Sequence, residues 1–297
     1  MPSYTHQIEV DGQYKPEANR YHLYLNKGCP FAHRTHIALY LKGLEDAIDV
    51  SYTEPGMGPN GWIFSNAEQQ TAGSTVDKVN GFVGAREIYL KNDPAYEGKY
   101  TVPVLWDTKT STIVNNESAE ILRIFNNQLN NLAKHPEVDL YPESLKSKID
   151  ELFTIYNASI IMGVYGPGYA TTQADYETKT DKFFAALDDL EKHLGTTRYV
   201  AGSQLTELDI KLFVTLIRFE PAYYGAYKLN LKTIHDYPVI SNYLKDLYQK
   251  PQFNKTVDFD HIKKIYYLSP NAPSPKIVPR GPNVDWLKTQ HNRANLD

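Results

Sequence analysis

The apolar period of this chain changes once, near residue 130, and that change limits what the chain can fold into. Before it, short alternating runs read as strands. Residues 21–26 are the first, stopped by Gly28, and residues 48–53 the second. Between them Pro30 to Lys42 reads as a helix, with Pro30 in the first turn and Gly43 as its C-terminal cap. Residues 101–106 and 112–114 form a hairpin about a turn at Asp107 to Ser111, and residues 117–127 are helical. After residue 130 only helical periods remain. Phe183, Leu187, Leu190 and Leu194 recur at intervals of 4, 3 and 4. Thr206 and Asp209 form a capping box with Leu205 and Ile210 as its hydrophobic staple, ahead of a helix, Leu208 to Phe219, that is apolar on nearly every side. Two domains of unlike class follow: an α/β domain over residues 1–130 and an all-helical domain over 131–297. Glycine-rich residues 55–100 read as an insertion with short helices of its own. The final 28 residues, with prolines at 270, 273, 275, 279 and 282, read as an extended tail laid over the surface.

Charge excludes more than it assigns. Lys and Arg number 31 against 35 Asp and Glu, a net −4, which disfavours a polyanion binder. Lys263-Lys264 beside Tyr266-Tyr267 is too short a basic patch for nucleic acid. No stretch reaches the roughly 20 apolar residues that span a bilayer. Met1 to Val10 shows neither a basic nor an apolar signal region, so a cytoplasmic protein is expected. There are 23 tyrosines against 11 phenylalanines, and one cysteine, Cys29, which excludes an internal disulfide and a dithiol redox pair.

Cys29 falls between a strand end and a helix start, in Gly28-Cys29-Pro30-Phe31-Ala32-His33-Arg34. It is either a buried, inert side chain or a nucleophile. The position favours the nucleophile, because the positive end of a helix and its amides stabilise a thiolate. Arg34, and His33 when protonated, add positive charge. His33 and His36 have metal-ligand spacing but no further ligands near them in sequence, so no metal is expected. Val102-Pro103 is either an edge-strand start or a cis peptide that presents the Val102 backbone to a bound peptide. Asn116-Glu117-Ser118 suits any helix start, and equally suits a bound carboxylate, with Glu117 facing an ammonium.

This order of elements resembles a glutathione transferase, a thioredoxin-like domain followed by a helical bundle. Within that superfamily Cys-Pro-Phe-Ala-His-Arg resembles the Cys-Pro-Trp-Ala-His-Arg motif of the glutathionyl-hydroquinone reductases, the xi class, which are omega-like. Thr101-Val102-Pro103-Val104-Leu105-Trp106-Asp107, Gly61-Trp62-Ile63-Phe64, Gly163-Val164-Tyr165 and His261 to Tyr267 agree, in the same order. The resemblance implies glutathione as co-substrate and Cys29 as the catalytic thiol. It implies that Trp62 stacks on glutathione, Arg86 pairs with a carboxylate, Val102 pairs through its backbone beside a cis Pro103, and Glu117 and Ser118 grip the γ-glutamyl end. Tyr165, with Tyr266 or Tyr267, would hydrogen-bond the quinol oxygens. It further implies a homodimer. An omega-like thioltransferase or dehydroascorbate reductase, and a non-catalytic glutathione-binding scaffold, are the rival readings. Three departures bear on the second substrate: Phe31 replaces the motif's Trp, and Ile265 and Pro270 stand where the family tends to have histidines.

Overall fold

A computed structural model describes residues 3–58, 61–68, 70–270, 272 and 274–296; Pro273 of the tail and the first two residues of Met1 to Val10 lie outside them. The chain divides into two compact units. One holds the described residues up to Asp139 together with Thr256–Lys276; the other holds Leu140–Lys255 and the described residues from Ile277 on.

The first unit is built on a five-stranded sheet in the order β3-β2-β1-β4-β5, from β1 (Tyr21–Leu25), β2 (Ile48–Gly58), β3 (Gly61–Phe64), β4 (Val104–Asp107) and β5 (Thr112–Asn115). β1 and β2 run parallel, joined by helix α1 (Pro30–Lys42), while β4 lies antiparallel to β1. This is the expected thioredoxin-like pattern. Gly43 ends α1 at φ 65°, its amide donating to the carbonyls of Leu39 and Tyr40, as the left-handed conformation at a C-cap requires. β4 begins at Val104 and not at Thr101, since Pro103 has no N–H to give a ladder. The described residues of the 55–100 stretch contain one helix, α2 (Ala85–Asn92), and also β3, which its glycines concealed. Helix α3 (Ser118–Arg123) follows β5 and passes into a π-turn over Ile124–Gln128.

The second unit is helical: α4 (Lys146–Tyr156), α5 (Gln173–Leu194), α6 (Glu207–Leu216) and α7 (Pro238–Tyr248). All ten residues of α6 are buried, and its Thr206–Asp209 capping box is formed. Buried Asp209 also accepts from the Val200 amide at 2.9 Å and the Tyr243 hydroxyl at 2.8 Å. The stripe of Phe183, Leu187, Leu190 and Leu194 on α5 is buried as its period requires.

The expected boundary at 130/131 differs from the observed one in two places. Residues 131–139 stay with the first unit, where Lys42 Nζ donates to the Val138 carbonyl at 2.5 Å. The last helix, α8 (Phe259–Leu268), also returns to the first unit and packs on β2. His33 Nε2 meets Thr256 Oγ1 at 2.8 Å, and His261 Nε2 meets the Ala72 carbonyl at 2.8 Å. The tail is less superficial than its prolines suggest, since Arg293 is buried and donates to the carbonyls of Leu194, Thr197 and Arg198. No helix among the described residues is long and apolar enough to cross a membrane.

Candidate active site

The β1–α1 turn is shaped by Asn26. Its side-chain oxygen accepts from the amides of Gly28 (2.8 Å) and Cys29 (3.0 Å), while its Nδ2 donates to Thr53 Oγ1 and the Glu54 carbonyl. Cys29 is thereby held as the N-cap of α1, at φ −71° and ψ 122°. Its own amide is consumed by Asn26, and Pro30 has none, so Phe31 and Ala32 supply the amides of the first turn. A Cβ on Gly28 would lie 2.6 Å from the His261 carbonyl oxygen and 2.9 Å from Ile265 Cγ2, so α8 is seated directly on the turn.

Cys29 is 8% exposed, and its sulfur lies 3.8 Å from the Val102 carbonyl oxygen. The Val102–Pro103 bond is cis. Among the described residues nothing accepts from the Val102 N–H, which leaves this donor for a ligand. A cavity of about 410 Å³ opens here, and its wall brings together Cys29, Trp62, Val102, Pro103, Glu117 and Ser118. These come from four separate stretches of sequence. Glu117 is the N-cap of α3 and Ser118 its first residue, both at the end of β5. Buried Tyr89 ties together two turns that line the cavity: its hydroxyl donates to the Thr101 carbonyl (3.0 Å) and accepts from Asn116 Nδ2 (3.1 Å). Burial pushes that phenol up to about 12, so it stays a neutral donor.

Other expected residues lie elsewhere. Arg86 is exposed on α2, its guanidinium 6.0 Å from the Tyr100 ring, and it is not on the cavity wall. Lys99 is on the wall and supplies a cation there. Tyr266 (buried) and Tyr267 (half-buried) lie on α8, off this wall. Tyr165 belongs to the second unit, within a cluster of tyrosines: its ring is 6.5 Å from Tyr169, 6.2 Å from Tyr223 and 5.9 Å from Tyr227. Burial raises the Tyr227 phenol far above its ordinary range. His33 and His36 are engaged by Thr256 and Tyr52, and the Arg34 guanidinium lies 4.7 Å from the Phe31 ring. Among the described residues no group of three or more His, Cys, Asp or Glu is placed to hold a metal.

A helix-capping cysteine, a cis Val-Pro and a Glu-Ser helix start line one cavity, as the resemblance to glutathione transferases implies, and comparison with known proteins shows the family. The family models of the glutathione S-transferase N-terminal and C-terminal domains match residues 28–128 and 173–246. The chain is 44% identical over 298 residues to glutathione S-transferase omega-like 2 of Schizosaccharomyces pombe, covering 97% of this chain and 94% of the relative. The chain belongs to the glutathione S-transferase family. This transferase is also 44% identical over 283 residues to the glutathionyl-hydroquinone reductase YqjG of Escherichia coli, covering 95% and 85% of the two chains. The glutathione-bound structure of YqjG superposes with a TM-score of 0.93 at 42% identity, over 98% of this chain and 96% of that one. The xi transferase of Phanerochaete chrysosporium does so with a TM-score of 0.92 at 45% identity, covering 96% and 92%. These relatives put this transferase in the xi class, with the glutathionyl-hydroquinone reductases.

Proposed function

We propose that this transferase reduces S-glutathionyl hydroquinones to hydroquinones at the expense of glutathione. The observation that carries the reading is Cys29, the chain's one cysteine, opening α1 inside a cavity whose wall offers the Val102 amide, Trp62, Glu117 and Ser118. The Cys29 thiolate attacks the sulfur of the thioether. The sulfur–carbon bond breaks, the aryl carbon takes a proton, and the Cys29–glutathione disulfide forms. A second glutathione attacks that disulfide, which releases oxidised glutathione and a proton and restores the thiolate. Net, one thioether and one glutathione give one hydroquinone and one oxidised glutathione. A single cysteine requires this route, because no second thiol in the chain can resolve the intermediate.

Glutathione would extend along the turn carrying Val102 and Pro103, pairing with the Val102 backbone and packing on Trp62. Glu117 would face its ammonium, and Ser118 its γ-glutamyl carboxylate. Lys99, which stands on the wall, would take the carboxylate-pairing role that the resemblance assigns to Arg86. The resemblance assigns the quinol oxygens to Tyr165 with Tyr266 or Tyr267. It also supports a homodimer working in the cytoplasm in quinone metabolism.

Replacing Cys29 with Ser is expected to lower turnover of a glutathionyl hydroquinone by about a thousandfold or more, with glutathione binding retained. Side-by-side assays on the thioether and on a simple glutathione mixed disulfide test the reading. Activity on the disulfide alone would make this a thioltransferase, and activity on neither would leave a binding scaffold.

A further inference from the structure

Residues ahead of the sheet reach the cavity, and no part of the proposed chemistry uses them. The chain passes antiparallel along the outer edge of β5: the His6 amide donates to the Val114 carbonyl and the Asn116 amide to the Tyr4 carbonyl, each at 3.0 Å, with Thr5 bridging Asn115. It also grips the side chains of the β5–α3 turn. The Tyr4 amide donates to Asn116 Oδ1 at 2.9 Å, and Asn115 Nδ2 donates to the His6 carbonyl at 3.2 Å. At the end of this run Ser3 lies on the cavity wall, and its hydroxyl donates to Glu117 Oε1 at 2.8 Å. The Tyr4 ring packs on Tyr89 (6.2 Å) and on Tyr96 (6.0 Å), and Tyr96 is itself on the wall.

From this geometry we propose that Ser3 and Tyr4 are positioning residues for the γ-glutamyl end of glutathione. The proposal rests on the glutathione reading of the cavity. A glutamate at a helix start has several rotamers open to it, and only some aim a carboxylate oxygen at an ammonium in the cavity. A donor on Oε1 restricts that choice and leaves Oε2 for the ligand. Preorganisation of this kind lowers the ordering cost of binding. Tyr4 acts one step further back. By fixing Asn116 and packing on Tyr89 it holds the turn that carries Glu117 in register with the Thr101–Val102 turn, which Tyr89 also grips. The role belongs to binding and leaves the sulfur chemistry alone.

The test is titration of the full-length protein with glutathione by calorimetry, alongside steady-state kinetics. Ser3→Ala is expected to weaken glutathione binding about three- to tenfold, with kcat at saturating glutathione unchanged. Ser3→Thr, which keeps the hydroxyl, should restore the affinity. Tyr4→Ala should also raise the Kd. In a Glu117→Gln background the Ser3→Ala step should add little, because residues acting through one another are not additive. Wild-type affinity in Ser3→Ala would overturn the proposal. So would a loss of the same size in the Glu117→Gln background, which would mark Ser3 as a contact acting independently of Glu117. A wild-type protein that does not bind glutathione would overturn the glutathione reading, and this proposal with it.

Discussion

Two residues beside the thiol do much of the work of aiming it. Asn26 folds the turn by taking the amides of Gly28 and Cys29, and Gly28 lets α8 close on it. A methyl at Gly28 would meet the His261 carbonyl at 2.6 Å, and a backbone oxygen on a seated helix has little room to yield. Gly28→Ala is therefore expected to cost about 1–3 kcal/mol of stability, measured by urea unfolding, and to lower turnover by displacing Cys29. At this scale the local chemistry was legible: a cysteine before a proline at a helix start, a valine before a proline, and a Glu-Ser helix start each announce a backbone geometry. Six of the ten expected site residues stand on one cavity wall. Arg86 and Lys99 show where that legibility stops. Both are cations in the same glycine-rich stretch, and which one reaches the cavity depends on where α2 begins, a property of packing that no local motif records. Asn26 escaped for a related reason, since an asparagine two residues before a glycine announces a turn without saying what the turn holds.

At the scale of elements, β1 and β2 form the parallel pair beneath the site, and His22 of β1 is enclosed between them. Its Nε2 meets Ser51 Oγ of β2 at 2.8 Å. Burial holds this imidazole down at about 4, against an ordinary 6.5. The unfolded chain therefore takes up a proton in a range where the folded one does not. The contribution of His22 to stability is complete above pH 6.5 and is lost as the pH falls from 6.5 through about 4. Unfolding free energies measured across that range should fall more steeply for the wild type than for His22→Gln. Element types followed from period and punctuation, as α1 shows between Pro30 and Gly43. β3 was hidden because four residues with a glycine at one end carry too little alternation to register. The placement of α8 was hidden for a different reason: an amphipathic period says that one face is covered, and is silent about what covers it.

Over the whole molecule, chain order and spatial grouping disagree. The chain leaves the first unit at Leu140, rejoins it at Thr256 and leaves again at Ile277. The helical unit is fastened at its end by Arg293, whose guanidinium donates to three backbone carbonyls. Arg293→Ala would strip those buried acceptors of their donors, a loss on the order of 2–4 kcal/mol. The melting temperature should drop in calorimetry while affinity for glutathione, whose proposed site lies in the other unit, stays as it was. The same discontinuity decides what can be severed. A chain stopped at Lys255 would retain every residue of the cavity wall and yet lose the helix that rests on Gly28. Cutting between two domains in sequence would not yield two domains in space. Mutations, tags and proteolytic nicks near residue 256 therefore reach a cysteine more than two hundred positions upstream.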